Sequence, residues 1–427
     1  MEAFVTNYMK PGIPVIIQMS PTELGGPTIP WSFESVSDRC DSASLMPTAY
    51  NKLDKNAGEE SEEGDRPWAG MEWANQVPLR DFTSKMERFD KLQQEGKIIE
   101  KKNVIYGFDF PLSTECPNLL KNFYVPRYFS TCTFQRNIGH AKNQDGLPGP
   151  ISDGRRFGWP SLMMGQPHSR SELHYDEAGL PFWMAVFRGK KFFRMLPVPD
   201  NKHLTSGVSD KRWPGTADDL EQIGSMLPEY MNEGPDSYNF NILPDELGAS
   251  ENDNLQPLGE PDFKKFPKLC EAVVHESIVE AGDVIFIPTG TPHAAMNLNA
   301  TIAITSNLFS PEDDPASSKW VRDYCNDGKE HLFPTRICDE LWSDEGIKTP
   351  WDKREARTYY QIAGFAGPSE WCAFMGKRVE EDKARKSAQS GDVYSEYQER
   401  QLAIIKRFCF DNASHEKSQA RAAQQEL

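Results

Sequence analysis

Two groups of short apolar runs constrain the fold of this chain most strongly. Within residues 159–196 and 270–309, segments rich in β-branched and aromatic residues alternate with glycine and proline. Such segments favour extended backbone, and glycine and proline interrupt them at turns. A succession of short strands with frequent turns is typical of all-β architectures. The sequence therefore predicts an antiparallel sheet that closes into a sandwich or barrel.

The segments that precede these strands are of mixed character. Residues 5–17 predict a short helix or loop followed by a strand, and residues 18–75, rich in Pro, Gly, Ser, Asp and Glu, predict a long loop. The segment VPLRDF, which begins at Val77, predicts a strand that enters a helix, because large apolar residues recur from Phe82 onwards at helical spacing. Another strand is expected over Asn103–Phe110.

The second half of the chain contains an expected insertion and a helical region. Residues 200–265 are polar and carry turn signals such as PGT and GEPD, so we expect an insertion between strands. After Pro311 the apolar spacing becomes helical. Two helices are expected, the first on Trp320, Val321 and Tyr324 and the second on Tyr394, Tyr397, Ile404, Ile405 and Phe408. We predict one domain over residues 1–310, with its core at 77–310, and a helical C-terminal region over 311–427.

The charge balance limits the partners of the protein. The formal net charge is −17, which argues against general nucleic-acid binding, because affinity for the phosphate backbone depends on Lys and Arg. A Lys/Arg-rich protein or peptide would fit better, although acid-rich segments such as Gly58–Asp65 are also explained as solvated loops. No apolar run approaches the roughly 20 residues of a membrane helix, so no membrane partner is expected.

The cysteines and the first residues bear on location. The eight cysteines include no CxxC pair, and we interpret them as reduced thiols rather than as a zinc ribbon or a dense disulfide frame. The first apolar stretch, GIPVII, has no basic flank and is too short for a signal peptide. We therefore expect an intracellular protein. The sequence does not decide between cytoplasm and nucleus, because the basic pairs at 101–102 and 155–156 are too short for nuclear import signals.

Three residues could hold one metal ion. His174 and Asp176 stand at i and i+2, so in an extended strand both side chains leave the same face. His293, far downstream, follows an apolar run and a short turn and offers a third donor. Two neutral imidazoles and one carboxylate form the facial triad of non-haem iron(II), which leaves open coordination positions. Taken alone this pattern is weak evidence, and ordinary half-buried polar residues are the alternative interpretation.

Polar residues on neighbouring strands strengthen the metal-site interpretation. Lys191 follows a hairpin-like RGK sequence and opens the strand KFFRMLP, from which its ammonium could meet a carboxylate inside a barrel. Spacing alone favours a surface lysine instead. Thr305 and Asn307 stand at i and i+2 on one face of the last predicted strand. Polar groups there would be out of place in a dry core and useful beside an anionic cosubstrate.

The segments that carry these residues resemble a known family. They are SELHYDEAGLPFWMAVFRGKKFFRMLP and GDVIFIPTGTPHAAMNLNATIAITSNLF, and they resemble the JmjC family of oxygenases, in particular its branch of small hydroxylases of lysyl and asparaginyl residues. The resemblance continues upstream through IYGFD at 105–109, NFYVPRYF at 122–129 and WPSLMMGQPHSRSELH at 159–174. It implies a mainly β protein with flanking helices, built on the double-stranded β-helix, or jelly-roll core, of cupin and JmjC proteins.

The resemblance implies an iron(II)- and 2-oxoglutarate-dependent dioxygenase. Its iron ligands would be His174, Asp176 and His293, and the open positions would accept 2-oxoglutarate and O2. The reaction would couple decarboxylation of 2-oxoglutarate to succinate with oxidation of a substrate C–H bond. Metal and cosubstrate supply this redox chemistry, and the protein supplies orientation.

The resemblance also implies which residues contact 2-oxoglutarate. Lys191 would bind the C5 carboxylate, and Tyr106 and Thr305 would support the same end. Asn307 and Ser171 match family positions near the cosubstrate.

Two positions depart from the family pattern. A lysyl-hydroxylase relative has asparagine where Met184 stands, so we expect one polar contact to be absent or replaced. The bulky residues that usually precede the last ligand are replaced by Thr291 and Pro292, which should widen or reshape the mouth of the pocket.

Several functions are compatible with the resemblance. Hydroxylation of a protein side chain is the first hypothesis, because most relatives on this branch act on proteins. Demethylation of N-methyl-lysine or N-methyl-arginine, as in histones, is the second, and hydroxylation of a small molecule is the third. A catalytically silent scaffold and a zinc or manganese cupin are rivals from other classes. The C-terminal helices could brace the barrel or pair two subunits into a homodimer.

Overall fold

The structure is a computed structural model of the 427-residue chain. It describes residues 1–20, 23–24, 31–51, 71–97, 104–121, 123–132, 160–174, 176, 180–195, 275–310, 313–314, 316–317, 357–377 and 396–425. The expected insertion at 200–265 and the expected helix at 320–324 lie outside these residues.

Strands are the most frequent regular elements among the described residues up to 310. They are β1 Val15–Gln18, β2 Leu45–Met46, β3 Thr48–Asn51, β4 Met71–Trp73, β5 Val77–Pro78, β6 Val104–Pro111, β7 Tyr124–Val125, β8 Ser161–Gly165, β9 Arg170–His174, β10 Phe182–Arg188, β11 Lys190–Met195, β12 His275–Glu280, β13 Asp283–Ile287, β14 His293–Asn297 and β15 Thr301–Asn307. A last short strand, β16 Arg357–Thr358, pairs with β7.

Helices precede the first strand, lie between several of the strands and follow the last one. They are α1 Glu2–Phe4, which continues as a π-helix over Val5–Met9, α2 Phe33–Arg39, α3 Leu79–Gln94, α4 Leu112–Glu115, α5 Pro117–Leu120, α6 Tyr359–Ile362, α7 at 368–377 and α8 Glu396–Gln425. Local sequence explains where two of them begin. The Ser32 hydroxyl accepts from the amide of Ser35 at the start of α2, and Thr358 forms a capping box with Gln361 at the start of α6.

Two antiparallel sheets form the core of the fold. The larger has the order β1-β13-β10-β15-β8-β6-β3-β4, and the smaller has the order β12-β11-β14-β9. The chain alternates between the sheets from β8 to β11 and again from β12 to β15, while β11 and β12 are neighbours in the smaller sheet, which is consistent with a jelly roll. The prediction that 159–196 and 270–309 form an antiparallel sandwich or barrel is therefore confirmed for the described residues.

The step from β10 to β11 corrects one expectation. The RGK sequence at 188–190 is not a hairpin, because β10 lies in the larger sheet and β11 in the smaller. Gly189 has a φ of 76°, and a Cβ there would lie 2.5 Å from the carbonyl oxygen of Ala300. Glycine therefore allows the chain to change sheets in a single residue.

The expectation of one long loop over residues 18–75 is wrong. Its described parts contain α2 and three strands, and β3 pairs with β6 and β4 at the edge of the larger sheet. Isolated apolar side chains, such as the buried Met46, Ala49 and Met71, stabilise these strands. In the sequence they stand among polar and turn-forming residues. Pairing of β2 with β5, of β3 with β6 and of β4 with β3, rather than local propensity, fixes these short strands.

The larger sheet separates two buried clusters. Alternate residues of β10, β13 and β15 face inward, where Met184, Ile285 and Ala303 pack in the barrel interior. Their neighbours face outward and pack under the helices, as Trp183 does against the ring of Phe129. Both faces of the central strands are therefore buried, which accounts for their nearly continuous apolar sequences.

The described part of the C-terminal region packs against the first 310 residues. In α8, Leu402, Ile405 and Phe408 are buried in the outer cluster, which confirms the second expected helix where it overlaps Glu396–Gln425. Arg400 of α8 pairs with the buried Glu115 of α4 at 2.7 Å. These contacts fit the bracing role, while the homodimer and the domain boundary at 310 stay predictions.

Two disulfide bonds contradict the expectation of reduced thiols. Cys40 bonds to Cys116 and Cys372 bonds to Cys409, while Cys132 is a buried thiol outside both bonds. The partners lie 76 and 37 residues apart in sequence, so no short motif marks them. The tertiary structure brings each pair together, α2 to the start of α5 and α7 to α8. None of the helices in the described residues is both long and apolar enough to cross a lipid bilayer.

Candidate metal centre

The three candidate ligands meet at one end of the smaller sheet. His174 ends β9 and His293 begins β14, and the two residues are direct partners in the antiparallel register. Direct partners project on the same face, and Asp176 follows two residues after His174. The donor atoms of the three side chains lie within 4.8 Å of one another. The arrangement is a candidate site for a single metal ion.

Both imidazoles are oriented for coordination through Nε2. The Nε2 atoms of His174 and His293 lie 3.6 and 3.7 Å from Oδ1 of Asp176. The Nδ1 atom of His293 lies 3.0 Å from the carbonyl oxygen of Thr291. Because a carbonyl oxygen only accepts, Nδ1 carries the proton and Nε2 keeps its lone pair.

Burial and charge favour the protonation states that a metal requires. Burial lowers the pKa of His293 to about 4, and the nearby His174 lowers it too. This imidazole is therefore neutral at physiological pH. Burial alone would raise the pKa of Asp176, but interactions with the imidazoles of His174 and His293 and a hydrogen bond from Asn307 hold it below its usual value. The site thus offers neutral nitrogen and ionised oxygen donors.

Asn307 lies against the carboxylate ligand. Its Nδ2 donates to Oδ2 of Asp176 at 2.7 Å, so one carboxylate oxygen is held while Oδ1 faces the two histidines. In the structure Asn307 contacts the metal-site aspartate, and its predicted position near the cosubstrate stays a prediction. Such contacts orient a ligand and tune its basicity.

The structure places Lys191 and Tyr106 together in the interior of the barrel. Nζ of Lys191 donates to the hydroxyl of Tyr106 at 2.9 Å, and both side chains are buried. Burial lowers the pKa of Lys191 to about 7. No salt bridge joins Lys191 to a carboxylate in the part of the chain that the structure describes, so its charge is neutralised poorly by the protein itself.

Thr305 and Ser171 also lie on the interior face. Thr305 follows Ala303 at i+2 in β15, and its hydroxyl donates to the carbonyl of Trp183 at 2.8 Å. A register shift in β9 makes Ser171 the partner of Ala295, two residues from His293 on β14. Without that shift, a residue three positions before His174 would face the opposite side. The structure therefore brings both residues to the face that carries the ligands.

Sequence reasoning missed Asn297, which lies beside Lys191. The two residues are direct partners across β11 and β14, and Asn297 is also hydrogen-bonded to Tyr106. Its amide donates to Oγ of Ser169 at 2.7 Å and its carbonyl accepts from Thr301 at 2.7 Å. The available signal was its i+4 spacing from His293, which in a strand places both on one face.

The two departures from the family pattern have different outcomes. Met184 is buried in the barrel interior between its strand partners Thr305 and Ile285, so an apolar side chain fills this position. Thr291 is buried and supplies the carbonyl that orients His293. The expected widening of the pocket mouth is not tested by these contacts.

Fold and site together define a class of protein: a cupin-type β-sandwich with a two-histidine, one-carboxylate metal site at one end of its interior. Residues 1–314 match the protein family described as "Cupin-like domain". This match covers well over half of the chain, and the protein belongs to that family.

Two curated proteins are more distantly similar. "JmjC domain-containing protein F" of Dictyostelium discoideum is 22% identical over 238 residues, which are 55% of this chain and 42% of that protein. "Arginine-specific demethylase JMJ22" of Arabidopsis thaliana is 24% identical over 230 residues, 53% of this chain and 34% of that protein. The similar region spans less than half the length of either relative. The resemblance to JmjC proteins in general is thus supported, while the small-hydroxylase branch stays a prediction.

Proposed function

We propose that this protein is an iron(II)- and 2-oxoglutarate-dependent dioxygenase that hydroxylates a protein side chain. One observation carries the proposal: the donor atoms of His174, Asp176 and His293 lie within 4.8 Å of one another, in an interior that also holds a buried lysine. A metal and an anion could therefore bind side by side.

The donor set fits iron(II). Two neutral imidazoles and a single carboxylate on one side of an ion are the ligands of non-haem iron(II) oxygenases, and they leave positions for cosubstrate and O2. A structural zinc site would close its coordination sphere with a fourth protein ligand. Among the described residues, the metal-ligating group contains only these three.

The environment of Lys191 fits a carboxylate of 2-oxoglutarate. A buried ammonium with a lowered pKa gains most from an anionic partner, since the partner restores its charged form. The Tyr106 hydroxyl, which can donate or accept a hydrogen bond, lies beside Lys191. Asn297 and Thr305 face the same barrel interior. The chemistry of this end of the interior therefore matches a dicarboxylate.

The protein's own part in the reaction is binding, orientation and exclusion of water. Iron(II), when bound with 2-oxoglutarate and O2, supplies the oxidising chemistry that breaks a substrate C–H bond. Asn307 and the carbonyl of Thr291 orient two of the ligands. Phe182 packs against the ring of His293 at 4.9 Å between centroids, and apolar residues such as Met184 limit the access of water.

Demethylation is the second candidate function. One of the similar proteins is named an arginine-specific demethylase, and hydroxylation of an N-methyl carbon leads to loss of the methyl group by the same chemistry. A small-molecule substrate is the third possibility. Products distinguish them, because hydroxylation adds the mass of an oxygen and demethylation removes that of a methylene.

A thermal-shift experiment tests the metal and cosubstrate sites without a known substrate. The full chain is heated with Mn(II) and N-oxalylglycine, a stable analogue of 2-oxoglutarate. At about one hundred times the dissociation constant, a ligand stabilises the folded state by about 2.7 kcal/mol, which raises the melting temperature of a 427-residue protein by about 3 °C. His174→Ala should abolish the shift, and His415→Ala, in the second half of helix α8, should keep it.

Turnover provides the second readout. Wild-type protein with iron(II), ascorbate and 2-oxoglutarate should release succinate, and the His174→Ala variant should not. A shift produced by zinc but not by N-oxalylglycine would favour a cupin of another chemistry. Binding of both ligands without succinate, even with candidate peptides, would favour a silent scaffold.

A further inference from the structure

Asp109 of β6 places a second carboxylate at the open end of the barrel interior. Its side chain is exposed, although its neighbours Phe108 and Phe110 are buried. Its Oδ1 accepts from the hydroxyl of Ser161 at 3.0 Å. Ser161 is the direct strand partner of Thr305, and direct partners share a face. The carboxylate therefore reaches the inner face, at the rim where the interior meets solvent.

A β-bulge directs Asp109 to this position. Gly107 pairs with Met164 and Phe110 pairs with Leu162, so Phe108 and Asp109 together stand opposite the single residue Met163. In a regular strand Asp109 would pair with Leu162 and face the apolar outer cluster. The bulge gives that place to Phe110 and turns Asp109 inward, where its amide contacts Sδ of Met163 at 3.3 Å.

The backbone of Asp109 adopts a left-handed conformation, which is strained for a residue other than glycine. Its φ is 52°, and within the described ranges only His168 is another non-glycine residue with a positive φ. Strained residues of this kind persist where the surroundings hold them and concentrate at binding sites. Aspartate tolerates this conformation better than most residues, so the position combines strain with a retained charge.

The negative charge of Asp109 influences Tyr106 in the barrel interior. Burial raises the pKa of Tyr106, and the negative charge of Asp109 raises it further. Thr305, opposite Ser161, is two residues from Asn307, which contacts the ligand Asp176. Along the strands the carboxylate thus lies between Tyr106, which contacts Lys191, and the metal site.

We propose that Asp109 selects a substrate that carries a cationic side chain, the ammonium of lysine or the guanidinium of arginine. The inference rests on the proposed function and names its substrate class. A carboxylate at the rim forms charge-assisted hydrogen bonds to either cation and repels acidic side chains. Neutral side chains of the same length gain neither contact.

A binding experiment with the loaded protein tests this selection. The full chain is saturated with Mn(II) and N-oxalylglycine and mixed with capped alanine peptides whose central residue is lysine, arginine, norleucine or citrulline. Paramagnetic Mn(II) broadens the NMR signals of a peptide only when it binds close to the metal. Free lysine and arginine form further arms and distinguish a small-molecule source of the cation from a peptide.

Wild-type protein should bind one or both cationic peptides at least about tenfold more tightly than the neutral ones, since a charged hydrogen bond contributes that much or more. Asp109→Asn should remove this preference, and Asp81→Asn, at an exposed aspartate of α3, should keep it. Asp109→Gly, which accepts a positive φ freely, repeats the test if the first variant unfolds. Free amino acids that bind as tightly as peptides support the cationic class with a small-molecule substrate.

Three outcomes would overturn the inference: equal affinity for charged and neutral peptides, no binding of any cationic probe at millimolar concentration, or a preference that survives in Asp109→Asn. The thermal shift by Mn(II) and N-oxalylglycine is measured first. If that shift fails, the proposed function fails. A normal shift without cation preference rejects only the role of Asp109.

Discussion

At the scale of single residues, the buried Lys191 destabilises the ligand-free protein and is expected to bind the anionic cosubstrate. Burial lowers its pKa from 10.5 to about 7, and no carboxylate among the described residues forms a salt bridge with it. We predict that Lys191→Met raises the melting temperature of the ligand-free protein at pH 6 by at least about 2 °C and abolishes stabilisation by N-oxalylglycine. Lys190→Met, at the exposed neighbour that pairs with Glu280, should change neither property much.

The higher melting temperature of Lys191→Met should depend on pH, because the pKa of Lys191 is lowered in the folded protein. A lysine whose folded pKa lies below its unfolded value binds fewer protons when folded, so it destabilises the fold fully at pH values below about 7. The destabilisation fades as pH rises towards 10.5. The advantage of Lys191→Met should therefore be larger at pH 6 than at pH 9, measured by thermal melts in both buffers. An advantage that grows with pH would contradict this assignment.

Asn307 offers a second residue-scale prediction. Its amide holds one oxygen of Asp176, and removal of such a partner of a ligand reduces metal affinity or activity about 10–100-fold. Asn307→Ala should weaken Mn(II) or Co(II) binding to this degree while the melting temperature without metal changes little. Asn118→Ala, in helix α5, is the matched control. Equal metal affinity in Asn307→Ala and wild type would show that the contact does not position the ligand.

At the scale of elements, close packing between strands sets the shape of the buried end. A Cβ at Gly165 of β8 would lie 2.0 Å from Nδ2 of Asn297 and 2.6 Å from Oγ of Ser169. We predict that Gly165→Ala destabilises the protein by about 1–3 kcal/mol and weakens N-oxalylglycine binding, because Asn297 must move away from Tyr106 and Lys191. Urea unfolding and thermal shift measure the two effects.

Gly376 is the control for this substitution. It lies in α7, and a Cβ there meets no atom within 4 Å. Gly376→Ala should stabilise the protein by about 0.5–1 kcal/mol, since alanine loses less backbone entropy in a helix. Similar effects of the two substitutions would mean that the space around Gly165 is not limiting.

Elements also differ in how well the sequence predicted them. The strands β8 to β15 were predictable because glycine and proline separate their short apolar runs, and His174 and Asp176 were predictable because two ligands stand at strand spacing. The strands β2 to β4 were not, since pairing with other strands, β5 for β2 and β6 for β3, stabilises them more than their own composition. Asn297 and Asp109 were missed because cross-strand partners and a bulge, rather than local sequence, decide which way they face.

At the scale of the whole molecule, an ion pair with a buried carboxylate joins α8 to α4. The carboxylate of Glu115 is fully buried and pairs with Arg400, whose side chain is 16% exposed. Loss of one partner leaves the other charge uncompensated, so Arg400→Ala should destabilise the protein by about 3 kcal/mol. On the same helix, Arg407 pairs with Asp41 but is 51% exposed, and Arg407→Ala should have an effect of at most about 1 kcal/mol.

Acid should reduce the effect of Arg400→Ala. Burial raises the pKa of Glu115, and the charge and hydrogen bond of Arg400 oppose that rise. Without Arg400 the pKa rises further, and Glu115 takes up a proton as pH falls, which removes the uncompensated charge. Urea unfolding at pH 5 and pH 8 should show the smaller loss at pH 5. A loss that is independent of pH would indicate that packing, rather than charge, joins α8 to the domain.

The disulfide bonds make the same connections covalent, and their contribution should follow the chain that each encloses. Cys40–Cys116 spans 76 residues and Cys372–Cys409 spans 37, and loops of these lengths predict a contribution of about 4 kcal/mol for each bond. Reduction by a phosphine should lower the urea midpoint of wild type. It should have less effect on Cys40→Ala/Cys116→Ala, and a full effect on Cys132→Ser, which removes a thiol outside both bonds. Because Cys372–Cys409 holds α7 to α8, its loss should also increase hydrogen exchange in α8 more than in β8 to β15. Uniform exchange along the chain would mean that the helices and the barrel unfold as one unit, in which the bond acts only on the unfolded state.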